Sequence, residues 1–119
     1  MEPTNTEGTE YFHQVVDCQW GCPAHTPVPE YIRLIAEGRF TESYMLNRES
    51  NVFPGILGRT CDRPCEPACR RVQSDGALQI RNLKRFVMDR VGHQYDPPPV
   101  AVTRKETVGI VGAGPAGLT

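Results

Sequence analysis

Five cysteines carry most of the chemistry this sequence offers, and their spacing is regular. The stretch GRTCDRPCEPACRR, residues 58–71, places Cys61, Cys65 and Cys69 at every fourth position. Upstream, VVDCQWGCPAH supplies Cys18 and Cys22, with Pro23 directly after the second. The result is a C-x3-C-P pair and a C-x3-C-x3-C triplet. Free cysteines that merely fill a core have no reason to recur beside proline at fixed spacing, so the pattern predicts metal ligation. Such pairs suit a tetrahedral zinc, and spacing alone leaves zinc open. Two features favour iron and sulfide. The C-x3-C-P ending matches the end of the ferredoxin-type run, where the cysteine before proline serves a different cluster from the one preceding it. Arg59, Arg63, Arg70 and Arg71 flank the triplet and can offset thiolate charge, with a solvated basic face as the equal alternative.

The prolines constrain the triplet. A continuous helix would string its three cysteines over about 12 Å, a long reach for one cluster. Pro64 disfavours helix at Arg63, and Pro67 suits a first helical turn. Cys65 and Cys69 are therefore expected one turn apart at a shared centre, with Cys61 facing elsewhere. His13 and His25 have nothing that fixes their geometry and are expected as surface histidines.

A second motif closes the chain. TVGIVGAGPAGLT is a β-branched run leading into G-x-G-x-x-G at Gly112, Gly114 and Gly117. After a strand, such glycines allow a tight turn and a close backbone approach to a pyrophosphate at the following helix N-terminus.

Helices must position these groups. PVPEYIRLIAEGRF reads as a short amphipathic helix with Pro29 in the first turn, Tyr31, Leu34 and Ile35 at helical spacing, and Gly38 ending it. Thr41 is expected to cap a second helix through ESYMLNRES, with Tyr44 and Met45 toward the core. NVFPGILGR, broken by Pro54 and Gly55, has room for one helical turn at most. From Gln79 to Val91, Ile80, Leu83, Val87 and Val91 follow the helical period, with Lys84, Arg85 and Arg90 toward water. Residues 1–10 are polar and expected to be disordered, with order beginning near Tyr11, and residues 93–106 read as a proline-rich linker. The expected division is thus a helical unit over 11–92, the linker, and the start of a nucleotide-binding domain over 107–119.

Composition sets outer bounds. With 119 residues, 39% hydrophobic and only 8% aromatic, the chain has a modest core that calls for support beyond burial. A formal net charge of -1 argues against nucleic acid or an anionic membrane as partner. MEPTNTEGTEYFHQVVD has neither a basic n-region nor an apolar h-region, so a cytoplasmic location is expected, where disulfides are rare. No general acid, base or nucleophile constellation appears, and without C-x2-C a thiol redox enzyme is disfavoured.

Taken together, CQWGCPAHTPVPEYIRLIAEGRF, NVFPGILGRTCDRPCEPACRR, LQIRNLKRF and VGIVGAGPAGLT resemble the amino-terminal part of the glutamate synthase small-subunit family. That family includes related flavin oxidoreductases and the corresponding region of dihydropyrimidine dehydrogenase. The resemblance runs from about Val15 to the last residue. It implies an all-α, α-helical ferredoxin-like, loop-rich domain followed by the truncated first strand and glycine loop of a Rossmann-type FAD domain. It also implies [4Fe-4S] clusters that pass electrons to or from a flavin domain, with FAD and NAD(P)H bound in the full-length parent. A large oxidoreductase subunit or another electron-transfer protein is the implied partner. Carried over residue by residue, Cys18 and Cys61 belong to one cluster, and Cys22, Cys65 and Cys69 to the other. Relatives have four cysteines in the first group, whereas this chain reads EYFHQVV upstream of Cys18. Their remaining ligand comes from the helix around Arg81 to Lys84, where no cysteine stands. One cluster is therefore expected, two at most, held by Cys22, Cys65, Cys69 and either Cys61 or Cys18. The alternative is a subunit-docking helical module with structural zinc or no metal.

Overall fold

Apolar residues at helical spacing, with proline at the helix starts, produce a small set of short helices joined by tight turns. The computed structural model describes residues 16–94 and 99–119. The expectations for residues 1–10, Tyr11 and His13, and for linker positions 95–98, lie outside the described residues. Within them α1 spans Asp17–Trp20, α2 Val28–Ala36, α3 Phe40–Ser50 and α4 Pro54–Thr60. A 3₁₀ turn at Arg70–Gln73, α5 at Ile80–Val91, a second 3₁₀ turn at Gly92–Gln94 and α6 at Pro115–Leu118 complete the order. Helices are the only regular elements among the described residues, as an all-α fold requires. No helix there is long and apolar enough to cross a membrane.

Helix α2 starts as its sequence predicts, with Pro29 in the first turn. It ends in a left-handed turn at Gly38, φ 76°, where the Arg39 N–H bonds the Leu34 carbonyl at 2.8 Å. That turn brings the chain straight into α3 at Phe40, so Arg39 and not Thr41 occupies the N-cap position. Phe40 packs beside Val87, Met88 and Val91, and this burial draws the helix start forward.

The inner face of α3 differs from expectation. Met45 is exposed and Tyr44 only half-buried, while Ser43 and Asn47 are fully buried. Ser43 Oγ donates to the Tyr31 carbonyl at 2.9 Å, and Asn47 Nδ2 donates to the Ser43 carbonyl at 3.0 Å. The Tyr31 ring fills the space between α2 and its neighbours, leaving room on α3 for small polar side chains that satisfy backbone groups.

Pro54 begins α4 where an uninterrupted run would have been broken, because a first-turn residue needs no intrahelical N–H donor. The helix accordingly runs for 7 residues, longer than the single turn expected. It packs closely on α5 at Gly58, where an added Cβ would lie 3.1 Å from Arg85 Cα. Arg59 on α4 pairs with Asp89 on α5 at 2.5 Å across the same seam.

Two apolar clusters hold the helices together. Val28, Tyr31, Cys65 and Ile80 form the first, with Cys18, Leu46 and Leu83 against it. Val87, Met88 and Val91 form the second. The period of α5 is as predicted except at Lys84, which is 6% exposed instead of facing water. Residues 107–111, expected as a strand, have no regular structure, since a lone strand lacks a neighbour for its backbone N–H and C=O groups.

Candidate metal centre

Both cysteine groups sit at helix ends and turns facing the first apolar cluster. Cys18 lies on α1, and Cys22 follows it in a turn closed by the Cys22 N–H on the Gln19 carbonyl at 3.2 Å. Cys61 is the C-cap residue of α4. Arg63 then adopts φ 56°, a left-handed geometry uncommon for a residue with a side chain, immediately before Pro64. Residues 64–68 form successive turns, with the Glu66 N–H on the Arg63 carbonyl and the Cys69 N–H on the Glu66 carbonyl, both at 3.0 Å. The helical turn expected over Cys65 to Cys69 is therefore replaced by turns, because Pro64 and Pro67 both lack the donor that a helix interior needs.

The two groups meet at Gly21. A Cβ there would lie 3.0 Å from Ala68 Cβ and 3.3 Å from the Pro64 carbonyl oxygen, so the first turn rests directly on the second. Arg70 Nε pairs with Asp17 Oδ2 at 2.5 Å on the outside of this contact. Gly21→Val is expected to push the turns apart and lower iron uptake by reconstituted protein severalfold, measured as iron per chain. Retention of full iron content would show that the contact does not hold the site together.

All five cysteines are free thiols; Cys65 and Cys69 are buried and the other three partly so. Burial pushes the Cys65 thiol up to about 11, with the charges of Cys22 and Cys61 adding to the effect. Burial likewise raises Cys18, with the charge of Cys69 adding to it. At the left-handed turn the Arg63 N–H meets the Cys61 sulfur at 3.3 Å.

The Cys22 thiol is shifted the opposite way from Cys18 and Cys65. Burial would raise it, but the Thr26 hydroxyl, the Thr26 and Ala24 backbone N–H groups and the Lys84 charge outweigh burial and hold it below its ordinary value. A thiol held in that way is prepared to bind metal as thiolate. Tyr31 stays protonated, its phenol raised by burial and by the surrounding cysteines, and it donates to the Ile80 carbonyl at 3.1 Å.

The arginines around the triplet are engaged with carboxylates at the surface. Arg59 bonds Asp89, Arg63 lies 3.7 Å from Glu66, Arg70 bonds Asp17, and Arg71 bonds Asp75. Their half-exposed side chains form the solvated face that the sequence left as an alternative. The buried cation is Lys84, which periodicity had placed toward water and whose only sequence signal was its position four residues after Ile80. His25 is exposed and meets the Trp20 ring edge-on at 4.7 Å, as a surface histidine.

Among the described residues no group of three or more His, Cys, Asp or Glu side chains is placed to hold a single metal ion. Cysteine thiolates are ligands common to zinc and iron–sulfur sites, and the five free thiols of the two turns are the donors available here.

A helical iron–sulfur domain is the class that this fold and donor set define. The family model described as dihydropyrimidine dehydrogenase domain II, 4Fe-4S cluster, matches residues 13–95, and the chain belongs to that family. Among curated proteins, the chain is 42% identical over 113 residues to the putative oxidoreductase UacF of Escherichia coli, covering 91% of this chain and 18% of that one. It is 40% identical over 106 residues to the E. coli glutamate synthase [NADPH] small chain, covering 85% of this chain and 22% of the relative. It is also 40% identical over 113 residues to the NADPH-Fe(3+) oxidoreductase subunit beta of Geobacter sulfurreducens, covering 89% and 17%. The chain spans about a fifth of the length of these relatives.

Proposed function

We propose that this chain is the iron–sulfur electron-transfer domain of an FAD-dependent NAD(P)H oxidoreductase. The observation that carries the reading is Cys65 buried in the first apolar cluster, with buried Lys84 linked through Asn51 and Thr26 to Cys22. In the proposed grouping Cys22, Cys61 and Cys65 would hold a [4Fe-4S] cluster, leaving one iron without a cysteine ligand. The Cys18 and Cys69 pair supplies two further thiols, too few for a second complete centre from this chain's cysteines. Bound there, the cluster supplies one-electron chemistry. The protein's own contribution is to exclude water with Tyr31, Val28 and Ile80 and to offset added negative charge with Lys84.

The proposed organisation keeps the helical domain over 11–92, the linker over 93–106 and the beginning of a flavin domain from 107. Supporting the last point, Gly112 and Gly114 lead into α6 in the order loop then helix, and a side chain at Gly117, inside α6, would collide with the Gly112 carbonyl. Relatives named as subunits suggest a partner subunit for the parent protein. Anaerobic reconstitution with ferrous iron and sulfide tests the reading. A broad visible absorption that bleaches with dithionite and returns on reoxidation is expected; a colourless chain containing zinc would overturn it.

A further inference from the structure

Three polar side chains from three different elements are buried beside Cys22. Thr26, Asn51 and Lys84 are 1%, 3% and 6% exposed. Thr26 precedes α2, Asn51 caps the end of α3, and Lys84 is on α5. Lys84 Nζ donates to Asn51 Oδ1 at 3.4 Å, and Asn51 Nδ2 donates to Thr26 Oγ1 at 2.8 Å. Thr26 Oγ1 lies 3.4 Å from Cys22 Sγ.

The direction of the last bond follows from counting donors. A hydroxyl has one hydrogen and two lone pairs. Both lone pairs of Thr26 are occupied, one by Asn51 Nδ2 and the other by Ser50 Oγ at 3.1 Å. The Thr26 hydrogen is therefore left for the Cys22 sulfur. The relay runs from an ammonium, through an amide and a hydroxyl, to a thiolate.

Energetics require something negative at the far end. A buried ammonium costs several kcal/mol unless an opposite charge faces it. Asn51 and Thr26 carry no charge. Glu66, whose Oε1 accepts from the Arg81 N–H at 3.1 Å, is engaged with Arg81 and Arg63. Cys22 is the ionisable group that the hydrogen-bonded path from Lys84 reaches.

We propose that the buried Lys84–Asn51–Thr26 relay is a positioning device that raises the reduction potential of the three-cysteine centre without ligating it. The inference rests on the cluster assignment above. Reduction adds negative charge, and both a nearby cation and a hydrogen bond to a ligating sulfur favour the more negative state. The relay also fixes the Cys22 rotamer, so the sulfur is aimed before metal arrives.

The test compares the reconstituted chain with its Lys84→Met, Lys84→Arg, Thr26→Val and Thr26→Ser variants. Iron and sulfide per chain are measured, and the midpoint potential is titrated with dithionite. Lys84→Met and Thr26→Val are expected to shift the midpoint downward at unchanged iron and sulfide content. Lys84→Arg and Thr26→Ser are expected to stay near the parent value. Unmoved potentials in fully loaded Lys84→Met and Thr26→Val would overturn the proposal. So would loss of iron from a folded Lys84→Met, which would make Lys84 a ligand. Absence of a cluster from the unsubstituted chain would instead defeat the underlying assignment, and the relay with it.

Discussion

Serine in place of Cys65 is expected to remove most of the iron and sulfide from the reconstituted chain, whereas serine in place of Cys69 is expected to leave them largely bound. Cys65 is 7% exposed, belongs to the first apolar cluster, and in the proposed grouping shares its centre with Cys22 and Cys61. Serine matches its size, but its hydroxyl does not ionise to provide a thiolate-like ligand, and two cysteines remain for a centre that had three. The expected loss is about tenfold or more in bound iron, at least as large as the loss from altering residues that only support ligands. Cys69 is just as buried, at 8%, yet in the proposed grouping it is set apart with Cys18. Burial alone therefore predicts equal effects, while the grouping predicts unequal ones. If Cys69→Ser empties the centre and Cys61→Ser spares it, the partition suggested by spacing is right and the one described here is wrong.

Tyr31→Ala is expected to be the most destabilising single change, costing about 3–5 kcal/mol, as for other large aromatic side chains cut back to alanine in cores. Tyr31 has 0% exposure, joins α2 to Ile80 and Cys65, and places its own carbonyl under the Ser43 hydroxyl. Its loss opens a cavity and leaves the Ile80 carbonyl without the phenol, while the Ser43 bond, made to the backbone carbonyl of residue 31, is kept. Tyr31→Phe isolates the hydroxyl, leaving the Ile80 carbonyl without that partner, and is expected to cost about 1–3 kcal/mol. Thermal or urea unfolding of the apo chain checks both, and a Tyr31→Ala midpoint equal to the parent's would contradict the described core. Because Cys65 packs in the same cluster, Tyr31→Ala is also expected to impair iron uptake.

Much of the fold was legible because it depends on periodicity and proline. Helix α5 follows directly from Ile80, Val87 and Val91, and α2 from Tyr31 and Leu34 behind Pro29. Helix α4 was underestimated because Pro54 was read as a breaker when it stands in the first turn. The inner face of α3 could not be read from hydrophobicity, since its buried residues are Ser43 and Asn47, chosen by hydrogen bonding to carbonyls. The same reason concealed Lys84: a lysine among arginines on a helix resembles solvent-facing charge until Asn51 and Thr26 are seen around it.

The candidate site divides similarly. Spacing marks the cysteines as candidate ligands but not how they divide between centres. The chain between Cys61 and Cys65 passes through a left-handed turn at Arg63, a conformation that a following proline does not favour and that spacing does not encode. The arginines that had suggested charge compensation go instead to Asp17, Glu66, Asp75 and Asp89.

Electron paramagnetic resonance of the reconstituted, dithionite-reduced chain tests the central claim most directly. The account predicts the signal of a reduced [4Fe-4S] cluster, integrating to about one spin per chain and accompanied by iron and acid-labile sulfide in equal amounts. A chain that folds and takes up zinc in place of iron, with no such signal on reduction, would contradict it.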